Sequence, residues 1–541
     1  MAVIEERVEQ PDFVFGPLAS EAQRVAFVRA ARSGIAHART PRDPRPGEPV
    51  LLELTVGPAA EDPALTVDGE RMPLEPGDVD WDVLVWGYVR RFRARVSGRP
   101  AGTVVRYAIG DTEYAYSVDD DAPPAWASEA VVYHVFVDRF DPGPGREWSE
   151  PPFMGGTLAG VIRRLDYLAD LGINVLWLSP IFPSPTYHGY DATDLFGVEP
   201  RLGSTQDLRA LLDGAHARGI RVLLDFVPNH WSSQHPTFVD ARTNRDSEYR
   251  NWYRFERWPD RYDQFFTART MPKLNLLDEG ARKHVLEAAA HWLELGVDGY
   301  RIDHATGPAQ AFWAYFRRAT REARADSWTF GEAVETPARE REFEGLLDGC
   351  LDFTLLEAFR KTFAQGTWDG VRFWRFLEAH SRYFSPEFIR PSFLDNHDMN
   401  RFLWVAGNDE RRLRLAALCQ FTLEGPPVVY YGTEIGMSQA RDVRETSDRE
   451  ARLPMAWDDV NDELLDFYRG LIRLRRRAPE LWSQRREALA VEPDLLVYRV
   501  GGRVTVALNL GDREQTYEGT KLAPLTGAIL DFDGEEDPWQ P

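Results

Sequence analysis

Arg301 and Asp303 stand two residues apart in GYRIDHATG (residues 299–307), and Glu332 stands in FGEAVE (residues 330–335). On a β-strand, a spacing of two puts both side chains on one face. A guanidinium beside a carboxyl keeps it ionised by lowering its pKa, which suits a nucleophile. Glu332 follows Trp328 and Phe330. A carboxyl in a partly apolar site has a raised pKa and donates a proton near neutrality. Two carboxyl groups with opposite roles are what glycoside hydrolysis requires. His397 and Asp398 in FLDNHD (residues 393–398) add a third carboxylate with a neighbouring imidazole. That pair suits binding sugar hydroxyls and stabilising positive charge at an anomeric carbon. Asp225 opens and His230 closes DFVPNH (residues 225–230), and His188 and Tyr190 lie in YHGYD (residues 187–191).

Each of the segments DFVPNH, GYRIDHATG, FGEAVE and FLDNHD opens as a short apolar or β-branched run and ends in Asp, Glu, His or Asn. Such runs mark buried parallel strands. Polar residues at the carboxyl ends of several parallel strands are where a barrel enzyme keeps its chemistry. Helix capping after a strand accounts for any one of them, but not for four in this order. A metal-dependent barrel hydrolase is the rival. It usually needs a His pair on the first strand, and VVYHVFVDRF offers only His134, so no metal ligands are assigned. A serine nucleophile is disfavoured because no G-x-S-x-G elbow occurs.

The elements that must carry these residues fall in three blocks. After a helical stretch near Glu21 to Arg32, residues 1–125 read as alternating strands between Pro and Gly clusters, an N-terminal β-sandwich. LLELTVG, ALTVDGERM, YVRRFRARV and TVVRYAIGDTEYAYSV are its strands, and DDDAPPAW ends it. Residues 126–480 then alternate strand and helix. VVYHVFVDRF, INVLWLSPIF, IRVLLDFVPNH, VDGYRID, SWTFGE, CLDFTL, RPSFLDN and PPVVYYG are the eight strands of an α/β fold, a (β/α)8 TIM barrel. A small insertion domain, residues 231–275, follows strand three and is rich in aromatic and charged residues. Residues 481–541 read as a C-terminal all-β domain. The basic run Arg475 to Arg477 is expected to be a solvated helix face.

With 541 residues, several domains are expected. The net charge of −22 argues against nucleic acid or an anionic membrane as partner and fits a neutral substrate. Cys350 and Cys419 are the only cysteines, too few for a disulfide framework or a zinc site. MAVIEERVEQ lacks an apolar core, and no run is long enough to span a membrane. A cytoplasmic enzyme is the simplest expectation.

The four segments resemble the short motifs of the α-amylase family, glycoside hydrolase family 13. MPKLN (residues 271–275) is similar to the form found in neopullulanases, cyclomaltodextrinases and maltogenic amylases. By that resemblance Asp303 is the nucleophile, Glu332 the general acid/base and Asp398 the transition-state stabiliser. Arg301, His230 and His397 hold the reacting sugar, and Tyr190 stacks on it. Asp225, His188, His304 and Arg401 complete the expected substrate-binding set. No cofactor is required, although the position of Asn229 binds calcium in many α-amylases. The resemblance implies a retaining hydrolase of α-1,4-glucosidic bonds in cyclodextrins, maltodextrins, pullulan or starch, and a homodimer is compatible with it. A transglycosylase shares the same covalent intermediate, and an α-glucosidase is a further alternative. The intact set Asp303, Glu332 and Asp398 argues against a non-catalytic glucan-binding relative. Two departures bear on substrate. The subgroup usually reads Val-Ala-Asn-Glu after the nucleophile, where this chain has His304-Ala305-Thr306-Gly307. Asp395-Asn396 replaces the Gly-Ser often found before His-Asp.

Overall fold

The structure, a computed structural model, describes residues 21–446 and 448–532; MAVIEERVEQ lies outside them. Its centre is an eight-stranded parallel sheet. The strands are β1 (Val132–Val135), β2 (Val175–Leu178), β3 (Arg221–Phe226), β4 (Gly299–Ile302), β5 (Trp328–Gly331), β6 (Gly349–Cys350), β7 (Ser392–Phe393) and β8 (Pro427–Tyr430). They are hydrogen-bonded in the order β6-β5-β4-β3-β2-β1-β8-β7. A parallel bridge from Gly349 to Ile389, just before β7, closes the sheet into a barrel.

These strands bury both faces, and the period-two alternation sorts their residues. Val132, Val175, Trp177, Leu223, Trp328, Phe330, Phe393 and Val428 pack together inside the barrel. Tyr133, Leu176, Leu178, Leu224, Phe226, Tyr300 and Ile302 face the helices. Fully burying one such side chain stabilises by about 1.5–3 kcal/mol. Gly299 is forced by close approach: a Cβ there would lie 1.9 Å from the Trp328 carbonyl oxygen. The helices start where the sequence supplies caps. Asp278 accepts from the Ala281 N–H ahead of the helix Glu279–Leu295. Ser204 and Asp207 form a reciprocal capping box on Thr205–His216.

Two four-stranded antiparallel sheets precede the barrel. One contains Ile35–Thr40, Val50–Val56, Gly87–Val96 and Glu75–Asp82; the other contains Glu70–Met72, Leu65–Val67, Thr103–Ile109 and Thr112–Val118. The alternation of Val50, Leu52 and Leu54 feeds the core between them. This sandwich docks on the barrel helix Gln310–Ala323, where Arg317 Nη2 donates to Asp119 Oδ1 at 2.9 Å. A last antiparallel sheet contains Arg486–Val491, Leu495–Val500, Val504–Asn509 and Gly527–Phe532.

Some elements differ from the sequence expectation. CLDFTL is a strand only at Gly349–Cys350, because the Asp352 side chain accepts from the Leu355 N–H and starts a helix at Phe353. VVYHVFVDRF leaves the strand after Val135 and turns into a short helix, Val137–Phe140. The basic run is not uniformly solvated. Arg475 is buried and donates to the carbonyls of Phe421, Leu423 and Gly425, stapling the turn before β8. Arg476 and Arg477 are exposed.

Candidate active site

The chemically useful residues extend the inward-facing series of their own strands. On β3 the series runs Leu223, Asp225; on β4, Gly299, Arg301, Asp303; on β5, Trp328, Phe330, Glu332. Register then sets them side by side, with Asp225 opposite Arg301. The apolar layer of Trp177, Trp328 and Phe330 lies below them, so the polar groups gather at the carboxyl end.

Arg301 is completely buried and organises the site. Its Nη1 donates to Asp225 Oδ1 at 2.6 Å and to Asp303 Oδ1 at 3.1 Å. Its Nη2 lies 2.7 Å from Glu332 Oε1. Asp303 and Glu332 each keep 7% of their surface, whereas Arg301 and His397 keep none, so the cleft reaches the two carboxyls and not the groups behind them. Burial raises the pKa of both Asp303 and Glu332, and Arg301 pulls both down. Neighbouring carboxylates then push each up again: Glu332, Asp225 and Asp398 act on Asp303, and Asp398 acts on Glu332. Such a pair gives up its second proton reluctantly. Burial outweighs Arg301 at both, so each carboxyl is held above its usual range, and the lowering of Asp303 expected from the neighbouring guanidinium is not met.

Tyr190 donates its hydroxyl proton to Asp225 Oδ2 at 2.9 Å and stacks on His397 with an interplanar angle of 9°. Having spent that proton, it accepts from His397 Nε2 at 2.6 Å, which places the imidazole N–H at Nε2. The same nitrogen lies 3.0 Å from Asp398 Oδ2. For Asp398, burial acts to raise the pKa, but His397, Arg452 and Arg301 outweigh it and hold the carboxyl below the usual range. His188 accepts the Tyr190 N–H at 3.1 Å, and burial lowers its pKa to about 3, so it is a neutral brace for the tyrosine. His230 stacks on Phe265 at 4.2 Å, and its buried Nε2 has no hydrogen-bond partner. His304 follows Asp303 and packs edge-on to Phe265 at 5.0 Å.

One expected residue is placed elsewhere. Arg401 is fully buried, donates to the Tyr431 carbonyl at 3.0 Å and lies over the rings of Tyr430 and Tyr431. It braces the end of β8. The surroundings of Asn229 do not suit calcium. Its Oδ1 is buried without a partner, and a Cβ on Gly307 would come within 2.2 Å of it. The adjoining groups are the His304 ring and Lys273, whose Nζ donates to the Gly307 carbonyl at 3.2 Å. Calcium takes six to eight oxygen ligands, and an ammonium beside the site opposes it.

Two contributors carry little signal in the sequence. Arg452 Nη2 donates to Asp398 Oδ1 at 2.8 Å from a loop beyond β8. Its Nη1 reaches Tyr187 Oη at 3.2 Å, which in turn donates to Asp448 Oδ1 at 2.7 Å. Arg452 sits in the charge-rich run RDVRETSDREAR, where nothing separates it from its neighbours. Phe265 belongs to a short hairpin of the 231–275 insertion, Gln264–Phe265 paired with Ala268–Pro272.

The alpha amylase catalytic-domain family model matches residues 134–484. Alpha-amylase 2 of Dictyoglomus thermophilum is 40% identical over 431 residues, covering 77% of this chain and 76% of that protein. Neopullulanase 2 of Thermoactinomyces vulgaris is 34% identical over 412 residues, covering 71% of this chain and 69% of that one. Among solved structures, the cyclic alpha-maltosyl-(1→6)-maltose hydrolase of Arthrobacter globiformis matches with a TM-score of 0.70 at 30% identity, covering 75% of this chain and 99% of that chain. With barrel, carboxylates and relatives in agreement, the chain belongs to the α-amylase family, in its neopullulanase, cyclomaltodextrinase and maltogenic amylase subgroup, as a retaining glycosidase of α-1,4-glucosidic bonds.

Proposed function

We propose that Asp303 is the nucleophile, Glu332 the general acid/base and Asp398 the transition-state stabiliser, acting on small or cyclic maltodextrins. The observation that carries this reading is the guanidinium fork of Arg301, which holds Asp303 on one arm and Glu332 on the other. With both carboxyls on one guanidinium, the ~5–5.5 Å carboxyl spacing of retaining enzymes is the expected separation. Asp303 attacks the anomeric carbon while Glu332 protonates the departing glycosidic oxygen, leaving a glycosyl ester on Asp303. Glu332, now ionised, takes a proton from water. The water oxygen displaces the ester and restores the α-configuration. Asp398, hydrogen-bonded by Arg452 and His397, stays ionised beside the developing positive charge.

Substrate size follows from the walls. Tyr187 and His188 precede Gly189, and many α-1,6-acting oligoglucosidases have an Asp at the place of Tyr187 that closes a one-sugar pocket. Tyr187 is instead tied to Asp448 and Arg452, and Phe265 of the insertion packs on His230 and His304. This arrangement supports an open cleft with sugars on both sides of the bond. Product analysis on β-cyclodextrin, pullulan, soluble starch and isomaltose tests it. Maltose as a main product from cyclodextrin and slow attack on isomaltose are expected. Glucose released singly from chain ends, with rapid isomaltose hydrolysis, would place the enzyme in another branch.

The same reading includes pairing of two chains through the sandwich. Trp81, Trp86 and Tyr88 are exposed, and Trp81 contacts the other two rings edge-on. With exposed Val79 and Val83 they form an apolar face, the kind of patch that marks an interaction site. The free, buried cysteines Cys350 and Cys419 support a reducing, cytoplasmic setting.

A further inference from the structure

His304, beside the reacting carboxyls, and Phe266, whose ring packs against it, hold backbone conformations that side chains seldom adopt. His304, immediately after Asp303, has φ 42°, and Phe266, next to Phe265 in the insertion hairpin, has φ 45°. Left-handed geometry at a non-glycine residue costs free energy and persists only where its surroundings impose it.

At His304 this conformation sets the turn that follows a donor. The backbone N–H points to Glu332 Oε2 at 3.2 Å, while Glu332 Oε1 is engaged by Arg301 Nη2 at 2.7 Å. The two carboxyl oxygens are thus fixed from two directions, one by the guanidinium and one by the turn after the nucleophile. That turn is pinned on three sides. Ala305 N donates to the Glu332 carbonyl at 2.9 Å, and Gly307 N donates to the His304 carbonyl at 2.9 Å. Lys273 Nζ reaches the Gly307 carbonyl at 3.2 Å. The imidazole itself lies against Phe265 at 5.0 Å and Phe266 at 5.4 Å. Gly307 allows this packing, since a Cβ there would meet the His304 ring at 2.5 Å.

We propose that His304 is a positioning residue for Glu332: its backbone N–H meets the carboxyl, its left-handed φ turns the chain that follows into the pinned loop that keeps this N–H in place, and the insertion hairpin holds the turn through Phe265 and Phe266. This rests on the reading of Glu332 as the general acid/base. It makes the His304-to-Gly307 sequence a matched set in which the histidine and the small fourth residue require one another.

The test compares His304→Gly, His304→Asn and His304→Val on maltotriose and on a nitrophenyl maltoside. Gly and Asn enter the left-handed region readily, whereas a β-branched residue does not. Gly and Asn variants, which keep the backbone conformation but lose the ring contact with the hairpin, should lose several-fold less kcat/KM on maltotriose than the Val variant. The Val variant should lose roughly tenfold or more on maltotriose, as expected when a hydrogen bond to a charged group is lost. It should lose far less on the aryl glycoside, whose leaving group needs little protonation. A double variant, Phe265→Ala with Phe266→Ala, should show the same leaving-group selectivity and covers the case in which the Val variant does not fold. Equal losses for Gly and Val, or losses independent of the leaving group, would overturn the proposal. Glu332→Gln run in parallel separates the two readings. If it lacks leaving-group selectivity, the acid/base assignment itself fails.

Discussion

Arg452 Nη2 donates to Asp398 Oδ1 at 2.8 Å, and Arg452 Nε donates to the His397 carbonyl at 2.9 Å. One side chain from the loop after β8 therefore fixes both the third carboxylate and the backbone of its imidazole partner. Replacing Arg452 with Met keeps much of its packing and removes every donor. Asp398 and Asp448 would then be left without their guanidinium. Loss of one partner of a buried pair typically costs about 3–5 kcal/mol. Arg452→Met should lower the melting temperature and depress kcat/KM on maltotriose together. A variant with near-normal values for both would show that His397 alone holds Asp398.

The buried histidines set how stability responds to acid. Burial lowers His235 and His188 to about 3 and His304 to about 4, all below the ordinary 6.5. Between the folded and unfolded pKa values the unfolded chain binds more protons, so stability rises with pH in that window. The contribution is complete above about pH 6.5 and is lost as pH falls from there towards 4. Urea midpoints should fall steadily from pH 7 to pH 5. His235 accepts from Thr237 N and caps the helix Pro236–Thr243. His235→Asn keeps a capping acceptor and should flatten the pH slope. An unchanged slope would show that His235 is not buried neutral.

Much of this site was legible because it obeys the period of the strand. Arg301 and Asp303, two apart, share a face, and Asp225 and Glu332 each end an apolar run. The parallel order of the strands then brought them together without further information. The loops gave no such help. Arg452 lies among other charges, and its reach to Asp398 depends on the path of the chain after β8. The limit of strand β6 was also hidden, because CLDFTL is apolar enough for a strand and only the Asp352 cap turns it into a helix. Arg475 misled in the opposite sense. A run of three arginines suggests water, yet one of them faces three carbonyls inside the fold. Arg401, next to the FLDNHD motif in sequence, turns away to the end of β8.

The aromatic face of the sandwich gives a prediction about assembly. Trp86 is 76% exposed and Tyr88 64%, so replacing both should leave the monomer fold intact. Light scattering should find a dimer for the wild type and a monomer for Trp86→Ser with Tyr88→Ser. The substrate ratio between cyclodextrin and starch should shift towards starch in the monomer, as access to the cleft widens. A monomeric wild type at micromolar concentration would remove pairing from the account.

The central claim is that Asp303 carries the glycosyl group between the two displacements. In Glu332→Gln the second step loses its general base, a loss typically worth roughly 10²–10⁴-fold, while an activated donor still drives the first. Maltosyl fluoride mixed with this variant, quenched in acid, digested and mapped by mass spectrometry, should show one maltosyl unit on the peptide carrying Asp303. The adduct should be absent from Asp303→Asn. A maltosyl group found on Glu332 or Asp398 in the wild-type enzyme, or an adduct unaffected by Asp303→Asn, would contradict the account.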